Sequence, residues 1–140
     1  MEILNRKANF NYEVIDTYEC GIELLGTEIK SIRKGSVDFT DSYAVIKKGE
    51  VYLLNSYIAL YENGNINNHD ERRSRKLLLH RSEINKISKE IKLKGYTLVP
   101  LKLYFSKDIA KILLGICKGK KSYDKRESIK ERDLKRNGQI

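Results

Sequence analysis

Tryptophan is absent from this chain of 140 residues, cysteine and histidine occur twice each, and no aliphatic run exceeds a few residues. Leu77-Leu78-Leu79 is far short of the ~18 apolar residues of a membrane span, and no basic amphipathic helix with a wide apolar face is evident. Membrane attachment is therefore excluded. The N-terminal Met1-Glu-Ile-Leu-Asn-Arg-Lys lacks the apolar centre of a signal peptide, so a cytoplasmic location is expected. Cys20 and Cys117 lie far apart among apolar neighbours, which fits two buried thiols in a reducing compartment better than a disulfide. Neither those cysteines nor His69 and His80 form a close C-x-x-C or H-x-x-x-H pair, so no metal or other cofactor is implied. Catalytic signatures are missing too, with no G-x-S-x-G and no phosphate-binding P-loop. Asp38, Asp41, Asp70 and Glu71 are the acids that invite a metal-dependent nuclease, and they form no recognisable motif. Neither an enzyme nor a small-molecule substrate is expected.

What is present is positive charge. The formal net charge is +9, and residues 118–140 hold nine Lys or Arg against four Asp or Glu, so +5 sits at one end. That end is too poor in apolar residues to pack: before the terminus Ile129 and Leu134 are its only aliphatics. A lopsided basic surplus points to a polyanion, nucleic acid above all, with salt-dependent attraction preceding any specific contact. The remainder, 40% hydrophobic overall, supports one folded domain. Residues 1–118 are thus read as the domain and 119–140 as a basic tail.

Within the domain the first half reads as strand. Tyr12, Val14, Asp16 and Tyr18 alternate with Glu13, Ile15, Thr17 and Glu19, and the run continues to Leu25 with Gly21 as a bulge or bend. A short helix follows over 28–34, with Thr27 as cap, Glu28 in the first turn and Gly35 as stop. Residues 42–47 and 50–55 form a hairpin through Lys48-Gly49, and the Asn-rich stretch 62–75 reads as a long contact loop. After Lys76–Leu79, Ile84, Ile87 and Ile91 mark a helix over 81–94 ended by Gly95. Alternation over 99–105 and 110–116 gives two closing strands. The expected fold is mainly β with some helix, a small closed OB-like barrel.

These segments carry a family resemblance. Asn5-Arg-Lys-Ala8, Tyr18-Glu-Cys-Gly-Ile-Glu-Leu-Leu-Gly-Thr-Glu-Ile-Lys-Ser-Ile-Arg33, Asp41-Ser-Tyr-Ala44, the stretch from Asn67 to His80, Leu98–Phe105 and Gly119-Lys-Lys-Ser-Tyr-Asp-Lys-Arg126 resemble the bacterial tmRNA-binding small protein B family, in order and nearly end to end. The resemblance implies an oval OB-like barrel with about three peripheral helices. It also implies binding to the tRNA-like domain of transfer-messenger RNA and its delivery to stalled ribosomes. The chain departs from the commoner family pattern at Glu71 and Ser74, where proline is usual, and at Cys20, where alanine is.

The residues and the resemblance together name the contacts. His69-Asp70-Glu71-Arg72-Arg73-Ser74-Arg75-Lys76 gathers four cations suited to phosphates and to stacking on unpaired bases, so Arg72, Arg73, Arg75 and Lys76 are expected to meet RNA. A carboxylate such as Glu19 accepts hydrogen bonds from base or ribose donors, and the resemblance implies that Glu19, Leu78 and Lys111 touch the tRNA-like domain. A leucine in such a run is more often core, which counts against Leu78. In the tail, Tyr123 has no core to receive it, and the resemblance implies stacking on a ribosomal RNA base in the decoding centre. Lys118, Lys120, Lys121, Lys125 and Arg126 surround it with charge. Asp124 with Glu127 reads as a capping box and Glu131 with Lys135 as a helical pair, so a segment including Ile129, Lys130 and Arg132 is expected to be disordered when free and helical in the ribosomal mRNA path. A structural ribosomal protein or a general single-strand RNA chaperone is the rival reading.

Overall fold

The structure, a computed structural model, describes residues 2–61 and 68–119. The expectations for Lys120, Lys121, Tyr123, Asp124, Lys125, Arg126, Ile129, Lys130 and Arg132, with the tail helix, lie outside the described residues. Nine strands and three helices follow in the order β1 (Glu2–Leu4), α1 (Arg6–Asn11), β2 (Tyr12–Ile22), α2 (Gly26–Arg33), β3 (Val37–Asp38), β4 (Tyr43–Lys47), β5 (Glu50–Leu54), β6 (Tyr57–Ile58), β7 (Arg75–Leu78), α3 (Arg81–Lys94), β8 (Thr97–Ser106) and β9 (Ile109–Gly119). Both tight hairpins turn on positive φ at two successive residues, Lys48 (52°) with Gly49 (75°) and Lys107 (52°) with Asp108 (64°). That pairing matches the twist of the flanking strands. Helix α3 has the predicted span, with Glu83 Oε1 accepting from the His80 N–H at 3.0 Å and Gly95 at φ 67° ending it.

Three local expectations are corrected. The irregularity of β2 lies between Val14 and Asp16, not at Gly21, which pairs regularly with strands on both sides. The strand ends at Ile22 rather than Leu25. Leu25, not Thr27, caps α2: Glu28 Oε1 reaches back to the Leu25 N–H at 2.8 Å, and the Thr27 hydroxyl is used elsewhere. The short β1, α1, β3 and β6 have no periodicity long enough to be read from sequence.

Pairing runs β8–β4–β5–β7–β2–β9 and returns through β9–β8, so six antiparallel strands make a ring, with β1 added outside on β8. The ring is thinnest where Ala44 opposite Leu98 is the one β4–β8 pair. Ile84 and Ile87 of α3 pack into the same core as these two residues. Inward side chains, among them Cys20, Val51, Leu53, Leu77, Leu103, Ile112, Leu114 and Ile116, fill the interior together with Ile32 of α2. At about 1.5–3 kcal/mol for each buried Leu or Ile, this core outweighs the loss of a few ladder hydrogen bonds at the thin seam. Helix α1 packs on the other face of β8 and β9, where Ala8, Val99 and Cys117 form a second cluster. The two cysteines are free, buried and in separate clusters. No helix among the described residues is long and apolar enough to cross a membrane.

Candidate nucleic-acid interface

Gly21 brings three strands together. It pairs with Leu78 of β7 on one side and Lys111 of β9 on the other, and Glu19 lies two residues back on the same face of β2. A Cβ at position 21 would stand 3.2 Å from the Leu78 Cβ, so glycine lets β7 approach this closely. Leu78 is 45% exposed while its neighbour Leu77 is fully buried, so strand alternation turns Leu78 outward. Glu19, Gly21, Leu78, Leu79, His80, Glu83 and Lys111 line one open cavity of about 350 Å³. Residues 19, 78 and 111, distant in sequence, thus form a single patch: an acceptor, an apolar side chain and a cation.

Residues that the sequence did not nominate complete this patch. The Tyr104 hydroxyl on β8 donates to Glu19 Oε2 at 2.5 Å, and its own pKa is pushed up to about 12 by burial first and then by the Glu19 carboxylate. That bond orients Glu19 and leaves its other oxygen available to a donor. His80 caps α3 and Glu83 is in its first turn, which places both at the cavity rim. The signal for them was the strand-to-helix junction at Leu79-His80, where a side chain at the helix start must sit beside the preceding strand.

The four loop cations separate into different roles. Arg75 is fully buried, and each of its five N–H groups has an acceptor: Nε donates to Glu28 Oε2 at 2.6 Å, Nη1 to Ser56 O and Oγ, and Nη2 to the carbonyls of Asp70 and Glu71. Direct RNA contact by Arg75 is therefore corrected to an internal role, because strand alternation in β7 points it inward with Leu77. Arg73 makes a two-pronged pair with the same carboxylate, at 3.0 and 2.6 Å, and remains partly exposed. Burial raises the Glu28 pKa, but hydrogen bonds from Arg73, the Leu25 N–H and Arg75 outweigh it and hold the carboxyl below its ordinary value. Lys76 bridges Glu50 at 3.5 Å with a third of its side chain exposed. Arg72 is exposed, lying over the Tyr57 ring and donating to Asn55 Oδ1 at 3.3 Å. Lys118 is exposed near the end of β9, opposite Glu13.

Other polar residues set the loop's shape. His69 is buried; its Nε2 donates to the Ile58 carbonyl and its Nδ1 shares a hydrogen bond with the Thr27 hydroxyl, both at 2.9 Å. Asp38 and Asp70 accept from nearby backbone N–H groups in local turns, and Asp41 faces Lys7 at 3.9 Å. These acids do not converge on one point.

A family profile described as SmpB protein matches residues 2–139. The chain belongs to the SmpB family. Among SmpB relatives, the SsrA-binding protein of Bacillus subtilis (strain 168) is 58% identical over 132 residues, covering 94% of this chain and 85% of the relative. That of Staphylococcus aureus (strain JH1) is 56% identical over 133 residues, covering 95% and 86%. A solved SmpB-type chain, from the work described as "tmRNA-SmpB: a journey to the center of the bacterial ribosome", superposes with a TM-score of 0.73 at 50% identity, covering 91% of this chain and 94% of that one.

Proposed function

We propose that this SmpB-family chain is an RNA-binding adaptor of trans-translation, working in the cytoplasm without catalytic chemistry or a cofactor. Its described body, a ring of strands that we read as an OB-like oval barrel, holds the tRNA-like domain of transfer-messenger RNA at Glu19, Leu78 and Lys111. Arg72 and Lys76 reach phosphates beside that patch, Arg73 contributes its exposed edge, and Arg75 fixes the loop from within. The basic segment that begins at Lys118 enters the empty mRNA path and decoding centre of the stalled ribosome. There Lys120, Lys121, Tyr123, Asp124, Lys125, Arg126, Ile129, Lys130 and Arg132 make the contacts that stand in for a codon, leading to peptide tagging and ribosome rescue.

One observation carries this reading: three residues far apart in sequence converge across three strands, in a chain more than half identical to SsrA-binding proteins. Truncation after Gly119, which keeps all of β9, is the test. Binding to a transcript of the tRNA-like domain should persist while tagging on stalled ribosomes is lost. Collapse of binding in a truncated protein of unchanged Tm would overturn the division between body and tail.

A further inference from the structure

The outer face of the β4–β5 hairpin carries side chains that no core receives. Tyr43, Val45, Tyr52 and Leu54 alternate with the buried Ala44, Val51 and Leu53, and none of the four joins a packed cluster of described residues. Tyr43 faces Leu54 and Val45 faces Tyr52, so the two tyrosines are diagonal neighbours on one surface. Two open cavities adjoin them. One of about 560 Å³ touches Tyr43, Val45, Lys48, Lys92 and Tyr96, and another of about 370 Å³ is lined by Val45, Lys47, Lys48, Tyr52, Leu54 and Ser74. Among the described residues no acid lines either one.

This surface is continuous with the patch at Glu19. Tyr52 pairs with Lys76 on β7, and Lys76 and Leu78 both point outward because Arg75 and Leu77 are fully buried. Leu78 pairs with Gly21, and Gly21 with Lys111. One strip of outward side chains therefore crosses β4, β5, β7, β2 and β9. Glu50, the acid at the hairpin, is compensated by Lys76 at 3.5 Å and Arg81 at 3.8 Å.

We propose that Tyr43 and Tyr52, with Lys47 and Lys48 beside them, are a stacking platform for unpaired bases of the same transfer-messenger RNA that the Glu19 patch holds. The inference rests on the function proposed above and extends its footprint by two strands. A flat ring on a sheet face that no described residue covers offers a base a π-face without demanding a sequence, and lysines at the hairpin turn meet the connecting phosphates. Continuity through Lys76 and Leu78 assigns the platform to this RNA rather than to ribosomal RNA.

The absence of tryptophan makes the test direct, since Tyr52→Trp gives the chain one tryptophan whose emission is read apart from that of the tyrosines. Adding a transcript of the tRNA-like domain should quench that emission over the same concentration range in which anisotropy of labelled RNA reports binding. Tyr43→Leu/Tyr52→Leu should weaken binding roughly 10–100-fold with the salt slope unchanged, and the double phenylalanine variant should restore it. Lys47→Gln/Lys48→Gln should instead reduce the slope of log K against log salt, by about 0.7 per lost contact to single-stranded RNA. Full binding without quenching, or quenching by ribosomes and not by the transcript, overturns the proposal. Lys111→Glu tests the patch separately. If it leaves binding intact the patch reading fails, while quenching of the tryptophan variant still reports on the platform.

Discussion

Glu28→Gln is the sharpest test of how the basic loop is held. The wild-type carboxylate accepts four hydrogen bonds, from the Leu25 N–H, twice from Arg73 and once from Arg75, in a place where both Glu28 and Arg75 have no exposed surface. Glutamine keeps the shape, but its amide turns two donors toward guanidinium donors and leaves Arg75 buried without a counter-charge. Removing one partner of a buried pair costs about 3–5 kcal/mol, against about 5–15 kcal/mol for a whole domain. For a domain of this size that is a fall in Tm of roughly 10–20 °C. Urea denaturation followed by circular dichroism should show a lower midpoint with an unchanged m-value. The pH dependence has a definite sign. The folded pKa of Glu28 lies below its unfolded value, so the stabilisation is full above the unfolded pKa and is lost as pH falls through the folded one. The variant should lose that part of its acid sensitivity. A double-mutant cycle with Arg75→Met should return a coupling of about 2 kcal/mol or more. A loss under about 1 kcal/mol, or plain additivity with Arg75→Met, would refute the argument that this cluster is closed and dry.

Further outcomes follow from the same geometry. Burial pushes the Cys20 thiol up to about 12, helped by the charges of Glu83 and Glu19, and burial alone pushes Cys117 up to about 11. Iodoacetamide at pH 8 should therefore leave the folded protein unmodified and label both thiols once urea unfolds it, as mass spectrometry would show. Gly21→Val should displace Leu78 and weaken binding to the tRNA-like domain more than it lowers Tm. Filter binding and thermal melts on one preparation separate the two effects, and unchanged affinity would remove the close β2–β7 approach from the RNA-binding argument.

Features resting on local chemistry were legible in the sequence. Lysines between Ile84, Ile87 and Ile91, with Gly95 beyond them, specify one helix, and Lys48-Gly49 specifies one hairpin, because helix period and turn residues act over a few positions. The partner class was legible too, through charge bias and motifs recurring in order. Alternation alone left Leu78 ambiguous, since a strand pattern says that neighbours face opposite ways and not which way is inside. Glu28 read as an ordinary first-turn acid, and Arg75 as one more loop cation.

The chain's own order of residues determined its helices, tight turns, apolar content and net charge, all set by short-range sterics and composition. Only ring closure decided that Arg75 meets Glu28 across 47 residues, that Leu78 turns outward beside Gly21, and that Glu19 and Lys111 share one patch. Strand register is a long-range choice. A shift by one residue would exchange every inward side chain for an outward one, and what selects among registers is the burial of a common core.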